Sequence, residues 1–298
     1  MTVTDARIAA VTEWETWHAG REEQLRQPHD WLSVSGYLWL PRSAAALPGL
    51  PGRWWADDDG AHVRAPASEG ARLIDPDGAP GEVLDGEAGE VLDGEAGVSV
   101  GEAGSSRFLL TADDVLVEVV VRGGFYAVRL RDPRTETRSA SDGVPTYDYD
   151  PSWVVDVTTE VYDEPRPTRV GTAAPGLVQV ANAVGEVSFE RDGATHRLVA
   201  VGHGPSWAVL FSDRTSGVTS SAWRIVVVTG EAATGRAVLD LNRAVNMPYA
   251  FTDYGTCPRP VDGNRIDLSV TAGERAPAGR SGVPGEDAPT RVPAVQPA

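Results

Sequence analysis

The sequence predicts a mainly β protein, an antiparallel β-sandwich or barrel-like body with one N-terminal amphipathic α-helix. Three observations predict it. From Phe108 onward, short runs of branched aliphatic and aromatic residues follow one another with turn residues between them. No helical pattern separates these runs, which disfavours a parallel βαβ sheet. Glycine and proline are both frequent, 32 and 22 of 298 residues, as many short strands joined by tight turns require.

The helix is expected over residues 4–26. Thr4 or Asp5 can cap its start, Ile8, Val11, Trp14 and Trp17 recur at near-helical spacing, and Pro28 stops it. An aromatic stretch follows from His29 to Leu40, whose Trp31, Tyr37 and Trp39 read as core. Residues 81–97 hold a tandem duplication: Gly81 to Ala88 recurs unchanged as Gly89 to Ala96. Two copies are too few for a solenoid. Acidic and rich in glycine, they read as an expanded surface loop or hairpin extension, with a calcium site as the alternative; the acids lack the one-three-five spacing of a calcium loop.

Val115 to Val121 and Phe125 to Arg131 flank Gly123-Gly124, a hairpin signal. Further strands are expected near 153–161, 184–190, 196–201, 207–212, 223–228, 237–241 and 266–271. The whole of 1–275 reads as a single β-rich domain, and the Ala, Pro, Gly, Arg and Ser rich stretch 276–298 as a disordered tail.

The formal charge is −17, and every basic side chain is an arginine. Such a surface repels phosphate backbones and anionic lipids, so neither nucleic acid nor membrane is an expected partner. The first residues lack an apolar leader and no run approaches eighteen apolar residues, which points to the cytoplasm. One cysteine, Cys257, excludes a disulfide within the chain.

The five histidines show no metal-ligand spacing, and Gly-x-Ser-x-Gly, phosphate-loop and dinucleotide motifs are missing, so no cofactor is expected. Cys257 reads first as a small buried apolar residue and second as a nucleophile, which would need a nearby base.

Several stretches carry a resemblance. Asp213-Arg214-Thr215-Ser216-Gly217, Asp240-Leu241-Asn242-Arg243-Ala244-Val245-Asn246, Cys257-Pro258, Asn264 and Ala272-Gly273-Glu274 are the strongest, with Asp30 to Leu40 earlier in the chain. Together they resemble the uncharacterised, mainly bacterial family known as domain of unknown function 1684. Where that family usually reads Asn-Pro-Pro-Cys, this chain has Asn246-Met247-Pro248-Tyr249; Ser220 stands where the family carries tyrosine, and Trp223-Arg224 where it carries Gly-Arg. The resemblance implies no activity.

On their own chemistry, Asp213 to Gly217 form either a turn or a binding loop with hydroxyls facing a cleft. Asp240 and Asn242 have strand spacing, which puts them on one face, with Arg224 on a neighbouring strand as counter-ion for Asp240 and Asn246 adding amide bonds. The candidate ligand site is therefore Arg224, Asp240, Asn242, Asn246, Asp213 and Ser216. The reading this supports is a small-molecule-binding β protein, with enzymatic activity left open. The alternative makes the same residues a structural network in an accessory protein, and a third reading is a hydrolase using Cys257 or an Asp-activated water.

Overall fold

The structure is a computed structural model, and it describes residues 3–74, 81–85, 89–203, 206–232, 236–280, 282, 284, 290 and 291. The chain forms two compact units. One comprises Met1–Leu25, Ser141–Ala173 and Val178–Glu286; the other comprises Arg26–Ala140, Ala174–Leu177 and Asp287–Ala298. A compact unit becomes a domain of its own only if it folds alone.

Helix α1 spans Val3–Leu25. Its inward stripe is apolar only in part. Ile8 is exposed, Val11, Trp14 and Trp17 are half-buried, and His18, Arg21, Glu22 and Leu25 continue the covered face. A stripe of this composition docks by hydrogen bonds as much as by apolar area, and its partners are described below.

In the second unit, β1 (Val34–Trp39), β2 (Arg53–Ala56), β3 (Ala61–Ala65), β4 (Arg72–Leu73), β5 (Gly81–Asp85), β6 (Gly94–Val100), β7 (Ser105–Leu110), β8 (Leu116–Arg122) and β9 (Phe125–Arg131) form two antiparallel sheets. Their orders are β1-β9-β8-β7-β4 and β2-β3-β6-β5. Trp54, Val63 and Val98 from the smaller sheet pack with Leu109, Val117, Val119 and Val128 from the larger, the core of a sandwich. On the other face of β8 and β9, Glu118 accepts from Arg129 at 3.2 Å and from Arg131 at 2.9 Å, under the Trp31 ring. Burial pushes the Glu118 carboxyl up, but the two guanidiniums outweigh it and hold it down to about 2. Tyr37 is buried, and that burial pushes its phenol up to about 12; Trp31 and Trp39 are half-buried.

The duplicated segment divides between two environments. The first copy supplies β5, an edge strand paired with β6, so a hairpin extension is present; residues 86–88 lie outside the described residues. The second copy is not a surface loop. The Gly89 N–H donates to the Leu73 carbonyl and the Leu92 N–H to that of Ala71, both at 2.8 Å, while Leu92 and Ala96 are buried in the sandwich core. Apolar residues spaced four apart met a half-built sheet, and the chain used them to fill it.

In the first unit, β10 (Val154–Gly171), β11 (Val178–Arg191), β12 (Ala194–His203), β13 (Ser206–Phe211), β14 (Arg224–Glu231) and β15 (Arg236–Asp240) pair in sequence order, and β15 pairs back onto β10. The result is a closed six-stranded antiparallel up-and-down barrel, with β16 (Val245–Asn246) added beside the start of β14. Val157, Val187, Leu198, Val209, Val226 and Leu239 fill its interior. Residues 266–271, expected to be a strand, have no strand assignment. Ile266 and Val270 are instead buried in the barrel core from an irregular segment. Both expected architectures thus occur, a sandwich in one unit and a barrel in the other.

The tail also departs from expectation over its described part. Ala276 N–H donates to Thr219, Arg280 reaches the Ala250 carbonyl at 3.1 Å, and the Gly282 carbonyl accepts from Ala222 at 2.8 Å. Gly282 has a φ of 60°, and a Cβ there would lie 2.6 Å from the Ser221 hydroxyl, so no larger residue fits. No helix among the described residues is long and apolar enough to cross a membrane.

Candidate functional site

The six expected site residues separate into two groups on opposite faces of the barrel wall. Arg224 shares the parity of Val226 and Val228, so it points inside, where it is fully buried. Its partner is Asp213, at 2.9 Å, and not Asp240. Its two terminal nitrogens also donate to backbone, to the Ala272 carbonyl at 2.5 Å, Glu274 at 3.1 Å and Val270 at 3.2 Å, while the buried Nε has no partner among the described residues. The three carbonyls belong to the irregular segment 270–274, which bends at Gly273, where φ is 76°. Asp213 in turn accepts from the Thr215 N–H at 2.6 Å, and the Ser216 hydroxyl accepts from the Asp213 N–H at 3.0 Å. The guanidinium thereby fastens the residues that plug the barrel to the loop after β13.

Asn246 belongs to the same end. Its side-chain amide donates to the Arg275 carbonyl at 2.7 Å and its backbone N–H to Glu274 at 2.6 Å. Glu274 also takes Arg21 of α1 at 3.2 Å. Burial pushes the Glu274 carboxyl above its ordinary range, against the pull of Arg21 and the Asn246 N–H.

Asp240 lies on the outer face, the parity of Val238, and ends β15; Leu239 and Leu241 are the residues pointing inward. Asn242 sits in the 3-10 turn that follows, Leu241–Arg243. Its amide accepts from the Asp150 N–H at 3.0 Å, donates to the Asp150 carbonyl at 2.9 Å and donates to Asp240 at 3.0 Å. The Asn242 N–H donates to the same Asp240 oxygen at 3.1 Å. Trp14 of α1 completes the frame by donating its indole N–H to the Asn242 carbonyl at 2.8 Å.

This frame encloses a pocket of about 370 Å³ between α1 and the barrel wall. Trp14 and Tyr149 stand at one side with ring centroids 6.0 Å apart, Val154, Thr229 and Val238 supply the wall, and Glu13, Asp240 and Arg243 bring charge. Arg243 ion-pairs with Glu13 at 2.6 Å and with Asp240 at 3.3 Å, and it lies over the Trp17 ring. The Tyr149 phenol is raised by burial and by Asp240, so it is a neutral donor. Of the expected six residues, Asp240 alone lines this pocket, and Asn242 braces it from behind.

Residues 140–275 match the family described as "Protein of unknown function (DUF1684)". This stretch of the chain is similar to DUF1684. The DUF1684 match spans the barrel, its plug and the Asp240–Asn246 segment, while the aromatic stretch 30–40 lies outside it. A solution NMR structure of an uncharacterized protein from Haloarcula marismortui is 28% identical with a TM-score of 0.39, over 46% of this chain and 78% of its own. No curated protein matches the chain.

The three departures from the DUF1684 pattern, Ser220, Trp223 and Tyr249, are all buried. Tyr249 stacks on Trp223 at 3.8 Å, accepts from its N–H at 2.7 Å and donates to its carbonyl at 2.6 Å, in one buried cluster with Cys257. Ser220 is buried and shares a hydrogen bond with Thr215 at 2.8 Å. Sequence reasoning missed Trp14, Tyr149, Arg243 and Glu274 as neighbours of the site. Trp14 is expected only as part of the helix's apolar stripe, Arg243 and Glu274 stand in stretches that carry the resemblance without naming their partners, and Tyr149 has no local motif.

Proposed function

We propose that the protein binds a small molecule in the pocket between α1 and the outer barrel wall, with Asp240 as the direct contact and Asn242 as its positioning residue. The observation behind this is Asp240 itself. One of its oxygens is consumed by the Asn242 turn, the other lies 3.3 Å from the Arg243 Nε, and the residue lines a cavity with aromatic and aliphatic walls. A carboxylate oriented by two hydrogen bonds loses little freedom on meeting a ligand.

Arg224, Asp213, Ser216 and Asn246 hold supporting places in this proposal. Their bonds go to one another and to backbone, which suits a structural network better than ligand exchange. A cytoplasmic setting remains part of the proposal and suits a lone free cysteine.

A metabolite library screened by calorimetry tests the reading, with Val238→Phe as the decisive variant. Val238 sits half-buried on the outer face, so phenylalanine fills the pocket without touching the core. Ligands should lose affinity in Val238→Phe while its melting temperature stays near that of the wild type. Ligands that bind the variant equally well refute the pocket as the site.

A further inference from the structure

Resting on that pocket as the ligand site, we infer that its ligand is a compact organic cation, an ammonium or guanidinium group on a small apolar or aromatic body. The pocket brings together two carboxylates, Asp240 and Glu13, and one guanidinium, Arg243. Arg243 is shared between both carboxylates and laid over Trp17, leaving the pocket with a surplus negative charge. Its contact with Asp240 is a poor one: the Arg243 Nε is buried 3.3 Å from the carboxylate without a hydrogen bond to any group. A better-aligned ammonium can displace it.

The walls favour the same charge. Trp14 and Tyr149 meet at 47°, an open angle whose ring faces attract a cation. The Trp14 indole N–H is committed to the Asn242 carbonyl, so this ring offers its π surface and not a donor. Val154 and Val238 supply apolar contact for the rest of the molecule. The side chain of Asp240 is only 18% exposed, which strengthens a charge pair there relative to one at the surface. A carboxylate or phosphate in this place would face Asp240 and Glu13 with Arg243 already engaged. The chain's overall charge of −17 steers small cations inward and anions away.

The test titrates the full chain by calorimetry with three probes of one skeleton: 2-phenylethylammonium, 2-phenylethanol and 3-phenylpropionate. The ammonium should bind about tenfold or more tighter than the alcohol, and the carboxylate weakest. Asp240→Asn keeps an oxygen for the Asn242 turn, and it should erase the preference for the ammonium over the alcohol. Arg243→Gln removes the competing guanidinium, and it should tighten ammonium binding severalfold. Equal binding of ammonium and alcohol, preference for the carboxylate, or ammonium binding that survives Asp240→Asn overturns the cation assignment. Loss of all three probes in Val238→Phe would still uphold the pocket in those cases, so the two readings fail separately.

Discussion

The indole N–H of Trp14 donates to the backbone carbonyl of Asn242 across 2.8 Å, and two helical turns later Arg21 donates to the carbonyl of Asn246 at 3.2 Å. Seven residues of helix rise about 10.5 Å between the two contacts. The helix is thus fastened to the backbone of the two asparagines. Trp14→Phe keeps a ring and deletes the donor, leaving a buried carbonyl unpaired. Its expected cost is about 1–2 kcal/mol, read from denaturant midpoints. No change in midpoint would show that water replaces the indole.

The Arg224–Asp213 pair is fully buried, so removing one partner strands a charge. Arg224→Met and Asp213→Asn should each cost about 3–5 kcal/mol, and the double variant less than the sum. Additive losses in this double-mutant cycle would mean that the two residues do not interact.

Glu118 makes stability depend on pH in the acid range. Its folded-state carboxyl is held down to about 2, below the ordinary 4.5, so the native state binds fewer protons than the unfolded chain between these values. The contribution is complete above 4.5 and disappears as pH falls toward 2. Melting temperatures between pH 5 and pH 2.5 should therefore fall less steeply in Glu118→Gln than in the wild type, although this variant is less stable at neutral pH. Parallel curves would remove Glu118 from the acid transition.

Deleting Gly81 to Ala88 or Gly89 to Ala96 yields one and the same chain, because the copies are identical. The retained copy can take the inner register of Leu92 and Ala96, since Gly89 lies beside Leu73. What is lost is the edge strand β5. The deletion should shift the melting temperature by no more than about 4 °C.

Truncation after Glu274 should do more harm. It removes the acceptor of the Asn246 amide, the acceptor of the Ala222 N–H and the Arg280 bonds, each contributing roughly 1 kcal/mol. A melting temperature within about 2 °C of the wild type would show the described part of the tail to be dispensable.

The strands were legible because period-two alternation survives in the sequence, and residues such as Val226, Val228 and Leu239 announce an inner face. The expected pairing of Asp240 with Arg224 fails on parity. Two polar residues around Leu241 look alike whether they face a core or a groove, and Arg224 on the adjacent strand has the opposite parity. The docking of α1 left no trace, because its partners are carbonyls of Asn242 and Asn246, which every residue possesses. Nor could the resemblance reveal the Arg243–Glu13 pair, which joins the matched stretch to a helix outside it.

The order of the barrel strands sets a sequence of folding events. Every pairing joins consecutive strands except the last, where Val155 must find Leu239 roughly eighty residues away. Hairpins such as β11 with β12 close short loops and form early, whereas the seam between β15 and β10 carries the entropy of the whole ring. Beyond that seam, Asn242 binds both backbone groups of Asp150 with its side chain, adding one more rung where the ladder ends. Asn242→Ala should therefore slow the folding limb of the chevron, while a substitution at the β11–β12 turn, such as Gly193→Ala, should change the kinetics by way of an earlier contact.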